Sequence, residues 1–116
     1  MTNFWQKLDT LLESSEIVLD HPKGTSHKDW PDLYFPLDYG YLTNTTGGDG
    51  DGIDVWLGTE EPKVINAIAC TVDITKRDAE IKLLIGCNDE EIAIIEDIHN
   101  GRHQSAIIIR RDNEQG

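Results

Sequence analysis

The chain has 116 residues, a formal net charge of -12, and 38% apolar and 28% charged residues. That length suits one domain and is too short for two halves that each bury a substantial core, so residues 1-116 are read as a single domain. No apolar run approaches the roughly 18 residues of a membrane span, and so acidic a chain lacks the cationic face that nucleic acid or an anionic membrane requires.

The first residues, Met1 to Lys7, hold no apolar signal segment, and Cys70 and Cys87 form no C-x-x-C pair, so a cytoplasmic location is expected. Both cysteines sit in apolar stretches and read as core packing. Phe4, Trp5, Leu8, Leu11 and Leu12 recur at spacings of three and four behind Thr2 and Asn3, which predicts an amphipathic helix over 3–14. Residues 16–20 read as a short strand running into the turn-rich, basic segment His21 to His27. The aromatic stretch 30–42 is interrupted by Pro31 and Pro36 and suits short edge strands and turns.

A polar loop covers 43–52. Strands are expected at 53–57, 64–74 and 80–86, all rich in β-branched residues. Asn88 with Glu91 three residues on forms a capping-box pattern, and Ile92, Ile95 and His99 continue at helical spacing, which predicts a helix over 89–99. Residues 106–110 make a last strand, with a frayed polar tail from Asp112 to Gly116. The class is α+β, mainly β.

The chemistry concentrates in Gly48-Asp49-Gly50-Asp51-Gly52-Ile53-Asp54. Three carboxylates at 49, 51 and 54 converge if the glycines let the backbone turn tightly. Two carboxylates about 5 Å apart repel by roughly 3 kcal/mol at an effective dielectric near 20, and a divalent cation removes that cost. All-oxygen ligation favours Mg²⁺, Mn²⁺ or Ca²⁺ over zinc. The same residues also suit a solvated turn. An EF-hand is excluded because it needs an oxygen ligand where Ile53 stands. A zinc site at His99 and His103 is set aside, since Gly101 ends the helix between them.

Phe35-Pro36-Leu37-Asp38-Tyr39-Gly40-Tyr41, followed by Asp49-Gly50-Asp51-Gly52-Ile53-Asp54-Val55, resembles the soluble (family I) inorganic pyrophosphatases in residue order and spacing. Glu80-Ile81-Lys82-Leu83-Leu84 resembles a second block of that family, and the likeness spans about residues 16–86. It implies a small closed OB-like β-barrel with an N-terminal and a C-terminal-half helix packed outside. It also implies Mg²⁺-dependent hydrolysis of inorganic pyrophosphate, with Mn²⁺ as a substitute cofactor.

By the same resemblance, Asp49, Asp54 and Glu80 ligate metal, Asp73 a further ion, and Asp20 an outer ion through water. Asp51 is then the general base, and Lys82, Tyr39 and Lys23 bind phosphate oxygens. The match has gaps: Gly52 replaces a proline, Asp38 replaces an asparagine, and the family's C-terminal helix with its Tyr-Lys pair has no counterpart. Arg110 and Arg111 read as a solvated strand end. The alternatives are a metal- or diphosphate-binding module without turnover and a hydrolase of a small organic diphosphate. The amphipathic N-terminal helix and three tryptophans make a homo-oligomer an expectation.

Overall fold

The computed structural model describes residues 3–48 and 50–111; Asp49 and the tail from Asp112 to Gly116 lie outside the described residues. Helix α1 spans Phe4–Glu13. Asn3 opens it with a reciprocal cap, its side chain accepting the Gln6 N–H while the Gln6 side chain accepts the Asn3 N–H, both at 2.9 Å. Strands β1 (Ile17–His21), β2 (Asp38–Leu42), β3 (Asp54–Leu57), β4 (Ile65–Asp73) and β5 (Asp78–Ile85) follow, then α2 (Asp89–Ile98) and β6 (Gln104–Arg110). No helix among the described residues is long and apolar enough to cross a membrane.

The six strands form one sheet in the order β1-β2-β3-β5-β4-β6, antiparallel except where β3 runs parallel to β5. The α+β class is as expected. The closed barrel is not: the ladder ends at β1 and β6, which do not pair among the described residues. The physical reason lies in the core, which is spread over both faces of the sheet. Trp56, Ala67, Ala69 and Leu84 pack with Ile92 and Ile95 of α2. Their neighbours Val55, Ile68, Leu83 and Ile85 point the other way and pack with Leu8 of α1. A barrel has one interior, whereas this sheet buries alternate side chains under two helices.

The aromatic stretch holds a second departure. β2 is an interior strand between β1 and β3, because Pro31 and Pro36 fall before the ladder begins. Gly40 in β2 approaches β1 so closely that a Cβ there would lie 2.0 Å from the Val18 carbonyl oxygen. Between β1 and β2 the chain makes a small hairpin, joined by Gly24 N–H to Phe35 O, Phe35 N–H to Thr25 O and a bridge between Ser26 and Tyr34.

Two charged contacts lock the helices to the sheet. Arg111 grips Asp9 of α1 with both terminal nitrogens at 2.9 and 2.8 Å, a bidentate pair across the chain. At the start of α2, the Glu91 side chain accepts from the N–H groups of Asn88 and Thr59 and from the Thr59 hydroxyl. Burial pushes this carboxyl up, but those donors outweigh it and hold it below the usual range. Cys87 is buried, which pushes its thiol up to about 12 and makes it inert packing.

Candidate active site

Strand register assembles the polar site. β2 and β3 pair Tyr41 with Asp54 and Tyr39 with Trp56, and the parallel β3–β5 ladder pairs Val55 with Leu83. Asp54 is thereby level with Lys82, and Glu80 lies two residues along β5 on the same face. Tyr39, Asp54, Glu80 and Lys82 thus share the face of the sheet that α2 covers further along, where the apolar pairs of the core give way to charge.

The four side chains are joined by hydrogen bonds. Lys82 Nζ donates to Glu80 Oε2 at 2.8 Å, to Tyr39 Oη at 2.8 Å and to Asp54 Oδ2 at 3.0 Å. Tyr39 Oη in turn donates to Asp54 Oδ2 at 2.7 Å. The Lys82 side chain is 7% exposed, Glu80 11% and Asp54 22%, so the ion pairs are shielded from water yet open on the Asp54 side. One ammonium faces two carboxylates.

The protonation states follow from this packing. Burial, the largest influence, lifts the Tyr39 hydroxyl well above the usual tyrosine range, with Lys82 pulling down and Asp54 pushing up. Tyr39 therefore stays a neutral donor. For Lys82, burial pulls the pKa down, but Tyr39, Asp54 and Glu80 outweigh it and hold the ammonium above the ordinary lysine range. Both groups stay protonated, and their donors are taken up within the cluster by Asp54, Glu80 and Tyr39.

The glycine loop lies against the same strand. Thr45 staples its base, donating to Leu42 O and accepting the Ile53 N–H, each at 2.9 Å. The Gly47 N–H donates to Asp51 O, and the Gly50 N–H donates to Gly47 O. Gly50 has φ +90°, in the region that favours glycine. A Cβ on Gly48 would lie 2.1 Å from Ala79 O and 3.0 Å from Glu80 Cγ. The loop therefore rests on the β5 backbone beside Glu80, with Asp51 exposed upon it.

Asp54 and Glu80 offer oxygen donors only, which chemically suits Mg²⁺ or Mn²⁺. Among the described residues no three His, Cys, Asp or Glu side chains already gather as an ion cage. Lys82 stands between Asp54 and Glu80, and Asp49, expected as a ligand, lies outside the described residues.

The other expected site residues have their shown partners outside this cluster. Asp73 ends β4 on the same face, and its carboxylate accepts the N–H groups of Thr75 and Lys76 at 2.9 Å, which hold it below the usual range. Asp20 is exposed at a bulge of edge strand β1, 4.0 Å from His21 Nε2. Lys23 is exposed; its N–H donates to Asp38 Oδ1 at 2.7 Å, and its charge acts on Glu91. Arg110 pairs with Asp89 and Arg111 with Asp9.

One polar pair behind the site escaped sequence reasoning. Trp56 Nε1–H donates to His99 Nε2 at 3.0 Å, so the proton of the neutral ring sits on Nδ1, facing Gln104 Oε1 at 3.4 Å. The helical phase of His99 was its only signal. Burial first, and Lys82 second, lower this imidazole to about 4. The unfolded chain then binds the proton more readily between about 6.5 and 4, so stability present above pH 6.5 is lost as pH falls. Urea unfolding at pH 7 and pH 5 should show a loss of about 2 kcal/mol from this group, at 1.36 kcal/mol per pH unit below 6.5. His99→Gln keeps an acceptor for Trp56 and should remove that part of the pH dependence; an unchanged dependence would refute the assignment.

Comparison with protein-family models, with curated proteins and with solved structures finds no match in any of the three.

Proposed function

We propose that the chain hydrolyses the phosphoanhydride bond of inorganic pyrophosphate, using Mg²⁺ or Mn²⁺ held by the glycine loop and its neighbours. The observation that carries this reading is the hydrogen-bonded group of Tyr39, Asp54, Glu80 and Lys82, drawn from three strands and placed beside the loop of Asp49 and Asp51. The family resemblance assigned roles to these same residues, with Asp54 and Glu80 as ligands and Tyr39 and Lys82 as phosphate donors.

Asp54 and Glu80, with Asp49 from the loop, would hold the metal. When bound, the metal lowers the pKa of a coordinated water and neutralises charge on phosphate oxygens. Asp51 would accept a proton at its carboxylate from the attacking water as the new P–O bond forms, while the bridging P–O bond breaks and the second phosphate departs. Lys82 Nζ and Tyr39 Oη donate to the oxygens of the phosphoryl group, where negative charge gathers in the transition state. The burial of Lys82 strengthens that interaction, because fewer waters compete with it.

Asp51→Asn removes the base and keeps an oxygen in place. Phosphate release should fall by at least about 100-fold, the usual contribution of general-base catalysis, while Mg²⁺ binding measured by calorimetry persists. Turnover unchanged by this substitution would remove the proposed role of Asp51.

A second reading has its own observation. Arg110 and Arg111 are paired with Asp89 and Asp9, which leaves the departing phosphate without those cations as donors. This favours a module that binds metal and diphosphate without turnover, recognised by calorimetric binding of pyrophosphate with no phosphate released.

A further inference from the structure

Every donor of the polar cluster is engaged inside it. A lysine ammonium has three N–H groups, and those of Lys82 go to Glu80 Oε2, Tyr39 Oη and Asp54 Oδ2. A tyrosine has one O–H, and that of Tyr39 goes to Asp54 Oδ2. Ionised phosphate oxygens only accept, so in this arrangement Lys82 and Tyr39 have no hydrogen left for them.

The place of the ammonium matters as much as its bonds. Lys82 Nζ lies 3.0 Å from Asp54 Oδ2 and 2.8 Å from Glu80 Oε2, between the two carboxylates, where a divalent ion bound to both would have to stand. Mg²⁺ holds its oxygens at about 2.0–2.1 Å, so ion and ammonium cannot share that gap. The chain tethers the ammonium there at a high effective concentration. A monovalent ion brings the same charge without the tether and loses the contest, whereas a divalent ion brings twice the charge. The Asp54 side chain is 22% exposed and that of Glu80 11%, so an incoming ion meets Asp54 first.

We propose that Lys82 is a built-in substitute for the divalent ion, and that metal binding at Asp54 and Glu80 displaces its ammonium and thereby frees it for phosphate oxygens. This rests on the metal-dependent reading of the site and adds an order of events to it. After the exchange Lys82 keeps Tyr39 as a partner and has two N–H groups to offer. An anion that arrives before the metal meets two carboxylates and no donor from Lys82; one that arrives after it meets the ion and the released ammonium. Metal and anion therefore strengthen each other's binding, by the reciprocity of coupled sites.

The test follows Lys82 in the whole chain with no phosphate present. Acetic anhydride labels lysine amines that reach solvent, and peptide mass spectrometry reads each position. Lys82 is 5% exposed, so it should resist labelling in the metal-free chain, become labelled in millimolar MgCl₂ and stay protected in NaCl of equal ionic strength. The exposed Lys28 and Lys76 report the reagent in every sample. Calorimetry of Mg²⁺ alone gives the second readout: Lys82→Met removes the competitor and should bind Mg²⁺ about 5- to 150-fold more tightly than the wild type, the usual range of coupling between two sites. Mg²⁺ binding with Lys82 still protected, or equal affinity in the two proteins, would overturn the exchange and leave the metal reading intact. No Mg²⁺ binding to either protein would overturn both. The labelling uses the wild-type chain, so it decides even where Lys82→Met does not fold.

Discussion

Methionine in place of Lys82 should destabilise the metal-free protein by about 3–5 kcal/mol, the usual cost of removing one partner from a buried ion pair. Lys82 is 5% exposed and its ammonium touches Asp54, Glu80 and Tyr39 within 3.0 Å. The oxygens of Asp54 and Glu80 lie at most about 6 Å apart, the sum of their contacts to Nζ. Two unit charges at that distance repel by about 3 kcal/mol at an effective dielectric near 20, and methionine fills the space without relieving it. The same logic makes the variant sensitive to cations. A divalent ion between the two carboxylates replaces the missing positive charge, so Mg²⁺ should raise the melting temperature of Lys82→Met more than that of the wild type. Urea and thermal unfolding with and without millimolar Mg²⁺ check both parts. A loss under about 1 kcal/mol, or an equal response to Mg²⁺, would show that the carboxylates are not held together by Lys82.

The second large effect is expected at Gly48. A Cβ there would meet the Ala79 carbonyl oxygen at 2.1 Å, and that atom belongs to the backbone of β5, held at this position by pairing with Val72 of β4. In Gly48→Ala the loop must lift away from β5, carrying Asp51 with it. Misplacement of reacting groups by about 1 Å costs about 100-fold in rate, so phosphate release should fall by that order and Mg²⁺ affinity should fall with it. The fold should survive, because the loop's base is held separately by Thr45. Gly101→Ala is the matched control: nothing lies within 4 Å of its Cβ, and it should leave both readouts alone. Full activity and metal affinity in Gly48→Ala would show that the close approach to β5 does not position the loop.

Local signals carried much of the secondary structure. Asn88 with Glu91 is a capping box visible in the letters and Asn3 a visible cap, whose box with Gln6 the structure adds, and the helix ends fall close to the periodic residues. The strands from Ile65 to Asp73 and from Asp78 to Ile85 follow their β-branched runs. What sequence reasoning could not reach was set by contacts between distant residues. The parallel pairing of β3 with β5, and hence an open sheet with two packed faces, depends on where β4 inserts, and no local pattern reports that.

The site shows the same division. Glu80 and Lys82 share a face by the strand period alone, and the glycines around Asp51 announced a tight loop. That Asp54 joins them follows from a parallel register, and that Trp56 is tied to His99 follows from a contact across 43 residues. Asp73 illustrates the opposite case: in the structure its carboxylate closes the β4–β5 turn, a role that Asp at a turn takes in many proteins.

Phosphate release from pyrophosphate, by the full chain freed of metal and then supplied with millimolar Mg²⁺ or Mn²⁺, decides between a metal-dependent diphosphatase and a binding module. Release should be absent without metal, restored by either ion and lost in Asp51→Asn. No release with either ion, or release that proceeds equally without metal, would contradict the metal-dependent diphosphatase.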